Sequence, residues 1–121
     1  MTNTKSILIY LTKAPMANSA NQEAVDLALA AASFEQEVSL LFEGDASFQL
    51  IPNQTPDSVG RKNLPKVFKA FPIYGIQDLY LLGNTEESLK AKIHAEHKNI
   101  IEVANNELNS LFEKFDTVIR F

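Results

Sequence analysis

Ile7-Leu8-Ile9-Tyr10-Leu11 is apolar without a break and is β-branched or aromatic at three of its positions. A strand with one wet face alternates apolar and polar residues, whereas a continuous run reads as a strand buried on both faces of a parallel sheet. Parallel strands need crossover connections, and the helices that make them cover the sheet. The stretch therefore predicts an α/β domain, and the rest of the chain supplies its parts.

Toward the carboxyl end, Ser19 and Gln22 have capping-box spacing, and Val25, Ala28, Leu29 and Ala32 recur at helical intervals. Val38 to Phe42 reads as a second strand ended by Gly44-Asp45, and Ala46 to Ile51 as one or two helical turns stopped at Pro52. Asn53 to Gly60 is polar, holds Pro56, and is expected to be a surface loop. Pro65 opens a short helix through Lys66, Val67, Phe68, Ala70 and Phe71, with Pro72 expected to end it. Leu79 to Leu82 is a third strand closed by Gly83, and Asn84 with Glu87 marks a helix start before Leu89 and Ile93. Asn99 to Val103 is a fourth strand, Leu108, Leu111, Phe112 and Phe115 a last helix, and Val118 to Phe121 a fifth strand. The alternation predicts a three-layer α/β/α sandwich around a five-stranded parallel sheet, in one domain over 1–121 without a repeat or linker.

Composition narrows the chemistry. With 21% charged residues and a net charge of -4, the domain as a whole repels a phosphate backbone, so direct nucleic-acid binding is disfavoured. There is no cysteine, which excludes a disulfide framework, a thiolate metal site and thiol catalysis. The apolar run after Met1 to Ser6 is too short to span a bilayer and has no small-residue cleavage site behind it, so a cytoplasmic chain away from membranes is expected.

Ligands of open α/β sheets sit at the carboxyl ends of strands, here the loops Thr12 to Asn18, Glu43 to Ser47 and Gly83 to Thr85. Thr12 to Asn18 has no glycine, and Pro15 removes a backbone donor, which disfavours a phosphate loop and leaves no cofactor expected. His94 and His97 lie three apart without an evident third ligand, and with Lys90, Lys92 and Lys98 nearby they read as a solvated helix end rather than a metal site. Glu86-Glu87 suits a helix N-terminus. No serine, histidine and acid show triad spacing.

Arg61, Lys62, Lys66 and Lys69 are four of the eleven basic residues, interleaved with Val67, Phe68, Phe71 and Tyr74. A solvated helix face is the common fate of such a run; contact with an acidic partner or RNA phosphate is the alternative. Together with the bulky Phe48-Gln49-Leu50-Ile51-Pro52 run, this defines a candidate partner interface: Phe48, Leu50, Ile51, Pro52, Lys66, Lys69, Phe71 and Tyr74.

Phe48 to Gln54, with Pro56-Asp57, Lys13-Ala14-Pro15, Phe68-Lys69, Tyr74-Gly75-Ile76 and the closing Asp116-Thr117-Val118-Ile119-Arg120-Phe121, resembles the TusC/DsrF branch of the DsrE-like sulfur-relay proteins. The resemblance implies a five-stranded parallel sheet and a place as one of three related subunits in a heterohexamer, a dimer of heterotrimers. There sulfur passes from a desulfurase system to a downstream carrier for 2-thiolation of the tRNA wobble uridine, or in a related role serves sulfur oxidation. In the paralogous catalytic subunit the active cysteine follows the third strand, corresponding to Leu82-Gly83-Asn84-Thr85, which offers no nucleophile for sulfur. The implied role is a non-catalytic subunit beside a cysteine-bearing paralogue, prone to self-associate when alone. A small-molecule-binding or regulatory domain of the same fold is the other reading, because fold alone does not fix function.

Overall fold

The computed structural model describes residues 5–12, 20–51, 68–76, 78–83 and 85–121. Strands β1 (Ser6–Leu11), β2 (Glu37–Phe42), β3 (Asp78–Leu82), β4 (Ile101–Val103) and β5 (Thr117–Arg120) pair in parallel in the order β4-β3-β2-β1-β5. Helices α1 (Ala20–Ser33), α2 (Glu87–Glu96) and α3 (Leu108–Glu113) join 3-10 turns at Gly44–Leu50, Phe71–Tyr74 and Asn105–Glu107.

The strand order dictates the layers. From β1 to β4 the chain steps always in one direction, and the last connection returns over β3, β2 and β1 to reach β5. Right-handed crossovers then place α1, the Gly44–Leu50 turn and α2 on one face and α3 on the other. Two apolar clusters match these faces. Ile9, Leu11, Val38, Leu40, Phe42, Leu79 and Leu81 pack against Val25, Ala28, Leu50, Leu89 and Ile93. Leu8, Tyr10, Leu41, Leu82 and Val103 pack with Leu111, Leu108, Phe112 and Phe115. Successive residues of β1 thus enter opposite cores, which is why its run is apolar throughout.

The larger core is finished by an aromatic file. Phe42 meets Phe68 edge-on with centroids 5.2 Å apart, and Phe68 meets Phe71 in the same way at 5.2 Å. Residues 68–70 are α-helical and the α-helix stops short of Pro72, as the sequence suggested; Pro72 itself sits in the first turn of the Phe71–Tyr74 3-10 helix that follows, where a missing N–H costs little. Gly75, at φ 89, closes that turn by donating to the Phe71 and Pro72 carbonyls, a left-handed cap that favours glycine.

Other boundaries moved by small amounts. Glu86, rather than Asn84, is the N-cap of α2, and Phe115 lies beyond α3 while still packing in its core. Ser19, Asn84 and the expected Asn53 to Gly60 loop lie outside the described residues. Phe42 is fully buried whereas Phe34, past the end of α1, is 76% exposed. Truncating Phe42 to alanine is expected to lower unfolding free energy by about 3–5 kcal/mol, and Phe34→Ala to change it by less than about 0.5 kcal/mol. Urea unfolding of the two variants measures the contrast.

Candidate partner interface

Connections after β3 and β4 leave toward opposite faces, so the crevice in which such sheets hold ligands lies at the carboxyl ends of these two strands. The Gly83 N–H donates to the Val103 carbonyl at 2.7 Å, and a Cβ at this position would stand 3.1 Å from the same oxygen. Thr85 is buried, with its hydroxyl donating to the Leu82 carbonyl at 2.7 Å, so the hydroxyl is occupied.

A polar cluster that sequence reasoning missed lies farther along the same sheet end. Tyr10 donates its hydroxyl to Glu43 Oε1 at 2.5 Å, Phe112 packs on its ring at 5.4 Å, and the Arg120 guanidinium sits 5.7 Å from its centroid. Burial, then the Glu43 carboxylate, pushes the Tyr10 phenol up to about 12, so it stays a donor. The sequence did hold a signal: a tyrosine inside a doubly buried strand requires a partner for its hydroxyl.

The Phe48 run divides between core and surface. Gly44–Leu50 is a 3-10 helix, whose threefold period gives it a fixed face. Ala46, Ser47, Gln49 and Leu50 turn inward, and Phe48 turns out, 46% exposed. Leu50 is a correction to the expected interface: it is 0% exposed and belongs to the core, as is Phe71 beneath Phe68. Ile51 is half-buried against the core, Lys69 is exposed, and Tyr74 is 57% exposed beside Ile73 at 84%. Pro52 and Lys66, with Arg61 and Lys62, lie outside the described residues. The exposed candidates are thus Phe48, Lys69 and Tyr74, and sequence reasoning missed Ile73.

His97 is the second correction. It is buried rather than solvated, and its Nε2–H donates to the Leu50 carbonyl at 2.6 Å, because a carbonyl can only accept. This bond fastens the end of the Gly44–Leu50 turn to the end of α2, and burial holds the imidazole below its ordinary pKa despite the pull of the carbonyl. His94 points elsewhere, to Glu102 Oε2 at 3.0 Å, while Lys90 takes Glu102 Oε1 at 3.1 Å. The two histidines therefore serve separate contacts, and among the described residues no group of His, Cys, Asp and Glu is arranged to hold a metal ion.

Beside His97 lies a cavity of about 120 Å³, lined by Phe68, Phe71, Leu79, Ile100 and the Lys69–Glu96 ion pair at 2.6 Å. It opens at the amino-terminal ends of β3 and β4, opposite the crevice, and is smaller than ordinary small-molecule sites of roughly 300–1,000 Å³. No helix among the described residues is long and apolar enough to cross a membrane.

A five-stranded parallel sheet with a helical layer on each face is the architecture of DsrE-like proteins. The chain belongs to the DsrE/DsrF-like family, whose sequence pattern matches residues 5–121. Its relatives place it in the TusC/DsrF branch that the sequence resembled. A Pseudomonas aeruginosa protein described as Protein TusC homolog is 34% identical over 118 residues, covering 95% of this chain and 97% of its own length. Protein TusC of Buchnera aphidicola is 36% identical over 88 residues, which is 73% of this chain and 71% of that one. In fold, the chain is similar to the ychN protein from E. coli, whose crystal structure matches with a TM-score of 0.70 at 16% identity, over 98% of this chain and all of that one.

The lowered pKa of His97 sets a direction for stability. Above the ordinary imidazole value of about 6.5, both folded and unfolded chains hold a neutral ring; as the pH falls through it, the unfolded chain takes a proton that the fold refuses. The urea midpoint is expected to fall between about pH 7.5 and pH 5.5, and to fall less in His97→Gln, which keeps an N–H donor without titrating. Equal slopes in the two proteins would remove His97 from that role.

Proposed function

We propose that the chain is a non-catalytic subunit of a sulfur-relay complex, supporting persulfide transfer by a cysteine-bearing paralogue, with 2-thiolation of the tRNA wobble uridine as the pathway served. The carrying observation is a family member without cysteine. Relay requires a thiolate that attacks the outer sulfur of a donor persulfide, keeps that atom as its own persulfide and releases it to the next thiolate. Where the resemblance puts the catalytic cysteine, this chain offers Gly83 packed on β4 and the occupied hydroxyl of Thr85.

The work left to such a subunit is assembly. Paralogous subunits, one bearing the cysteine, are its partners in a hetero-oligomer arranged as a dimer of heterotrimers, in the cytoplasm and without direct contact to nucleic acid. Phe48, Ile73 and Tyr74 supply exposed apolar and aromatic anchors of the kind that dominate interfaces, and Lys69 is exposed as well.

Affinity purification from native cells with mass spectrometry tests the proposal: paralogues including a cysteine-bearing one are expected, and an isolated chain or one carrying a retained small molecule overturns it. The co-purified carrier separates tRNA thiolation from sulfur oxidation. Incubated with a labelled persulfide donor, the chain alone is expected to take up no covalent label, and stable labelling would contradict the non-catalytic role. Phe48→Ala is expected to weaken assembly by about 2 kcal/mol with little change in the melting of the isolated chain. Leu50→Ala should instead destabilise the chain by about 2–5 kcal/mol.

A further inference from the structure

The two edges of the sheet are treated differently. At one edge β4 is three residues long, and its Glu102 is held by Lys90 and His94 of α2. Shortness and charge are the usual ways of blunting an edge. At the other edge β5 is the outermost strand, with Thr117, Val118 and Arg120 exposed. Nothing among the described residues pairs with its outer side.

The free backbone groups on that side can be named. Phe121 donates its N–H to the Tyr10 carbonyl at 2.8 Å and accepts from Thr12 N–H at 3.1 Å, so its main-chain groups face β1. Backbone direction alternates along a strand, so Ile119 and Thr117 also face β1, while the N–H and C=O of Val118 and Arg120 point outward. The outer edge therefore offers donors and acceptors flanked by Val118, which is 36% exposed.

We propose that β5 pairs antiparallel with β5 of a second copy of this chain, about a twofold axis at Val118. Charge complementarity selects this occupant and this register. Centred on Val118, the pairing sets Val118 against Val118 and brings Arg120 of each copy opposite Asp116 of the other. The two copies of Val118 exchange both main-chain bonds, as an antiparallel hydrogen-bonded pair does. Asp116 uses one carboxylate oxygen and its N–H on Ser6, at 2.9 Å and 3.0 Å, and keeps its other oxygen and its carbonyl for the incoming Arg120. Among the twofold pairings that align outward groups, one centred on Arg120 sets the two guanidinium groups against each other, one on Thr117 sets Arg120 against Lys114 and one on Ile119 sets it against Val118, so the Val118 register alone gives Arg120 a carboxylate directly opposite. A twofold contact of this kind closes on itself and leaves no growing edge. The inference concerns self-pairing and goes beyond the partner reading above, which rests on other surfaces.

Sedimentation of the purified full chain up to on the order of 100 μM tests it, since a short strand pair is a weak contact. A concentration-dependent dimer is expected. Val118→Pro removes the outward N–H without touching a bond to β1 and is expected to give a monomer with unchanged circular dichroism. Arg120→Glu sets like charges opposite each other and gives up the contact with the Tyr10 ring; with circular dichroism confirming its fold, it is expected to weaken the dimer about tenfold or more even if the proline variant fails to fold. A parent chain that stays monomeric overturns the proposal. So does a dimer that survives Arg120→Glu undiminished, which would mean association through another surface such as Ile73 and Tyr74, and so does an edge that pairs only when a paralogous subunit is added.

Discussion

The pairing of β1 with β5 is the contact on which the rest of the domain depends, because it joins the two ends of the described chain. At its base, Ser6 and Asp116 exchange hydrogen bonds across a separation of 110 residues; at its top, Thr12 donates both its N–H and its hydroxyl to the Phe121 carbonyl. Closing so long a loop costs entropy that only the assembled cores can offset. It also forces the returning connection across the sheet, and that crossing brings α3 over Leu8, Tyr10 and Leu41. Without β5 in place the second face has no cover, so the order of the strands and the presence of a third layer are one constraint.

Much of this was legible in the residues. The unbroken apolar run of β1 announces two buried faces, and the i, i+3, i+4 spacing of Leu108, Leu111 and Phe112 announces the helix that covers one of them. Boundaries were less legible where capping depends on backbone conformation: the α2 N-cap fell at Glu86, which the sequence did not favour over Asn84. Pro72 marked the end of the α-helix correctly, but not the 3-10 turn that follows, because in a first turn the proline nitrogen is not needed as a donor.

The candidate interface was legible as a segment and not as a face. Apolar residues at Phe48, Leu50 and Ile51 fit either the core or a partner, and the choice depends on helical period. A 3-10 helix repeats every three residues, so Asp45, Phe48 and Ile51 fall outside the buried set while Ala46, Ser47, Gln49 and Leu50 fill it. His97 failed for a related reason. Its charged neighbours in sequence suggested solvent, yet the Leu50 carbonyl that fixes it comes from a turn 47 residues away, which no local pattern reveals.

The chain has no thiol, and the carboxyl end of β3 is closely packed. In a parallel sheet the crevice between β3 and β4 exists because their connections part, and a catalytic side chain there needs room to project. Gly83 instead lets the two strands close until the Val103 carbonyl lies 2.7 Å from its nitrogen and 3.1 Å from where a Cβ would stand. A Cβ at this position would crowd the Val103 carbonyl, and Thr85 beyond it turns its hydroxyl back onto Leu82. The same contact ties β3 to the short edge strand at its carboxyl end, so Gly83 helps to hold β4 in the sheet: a larger residue there would push on the Val103 carbonyl.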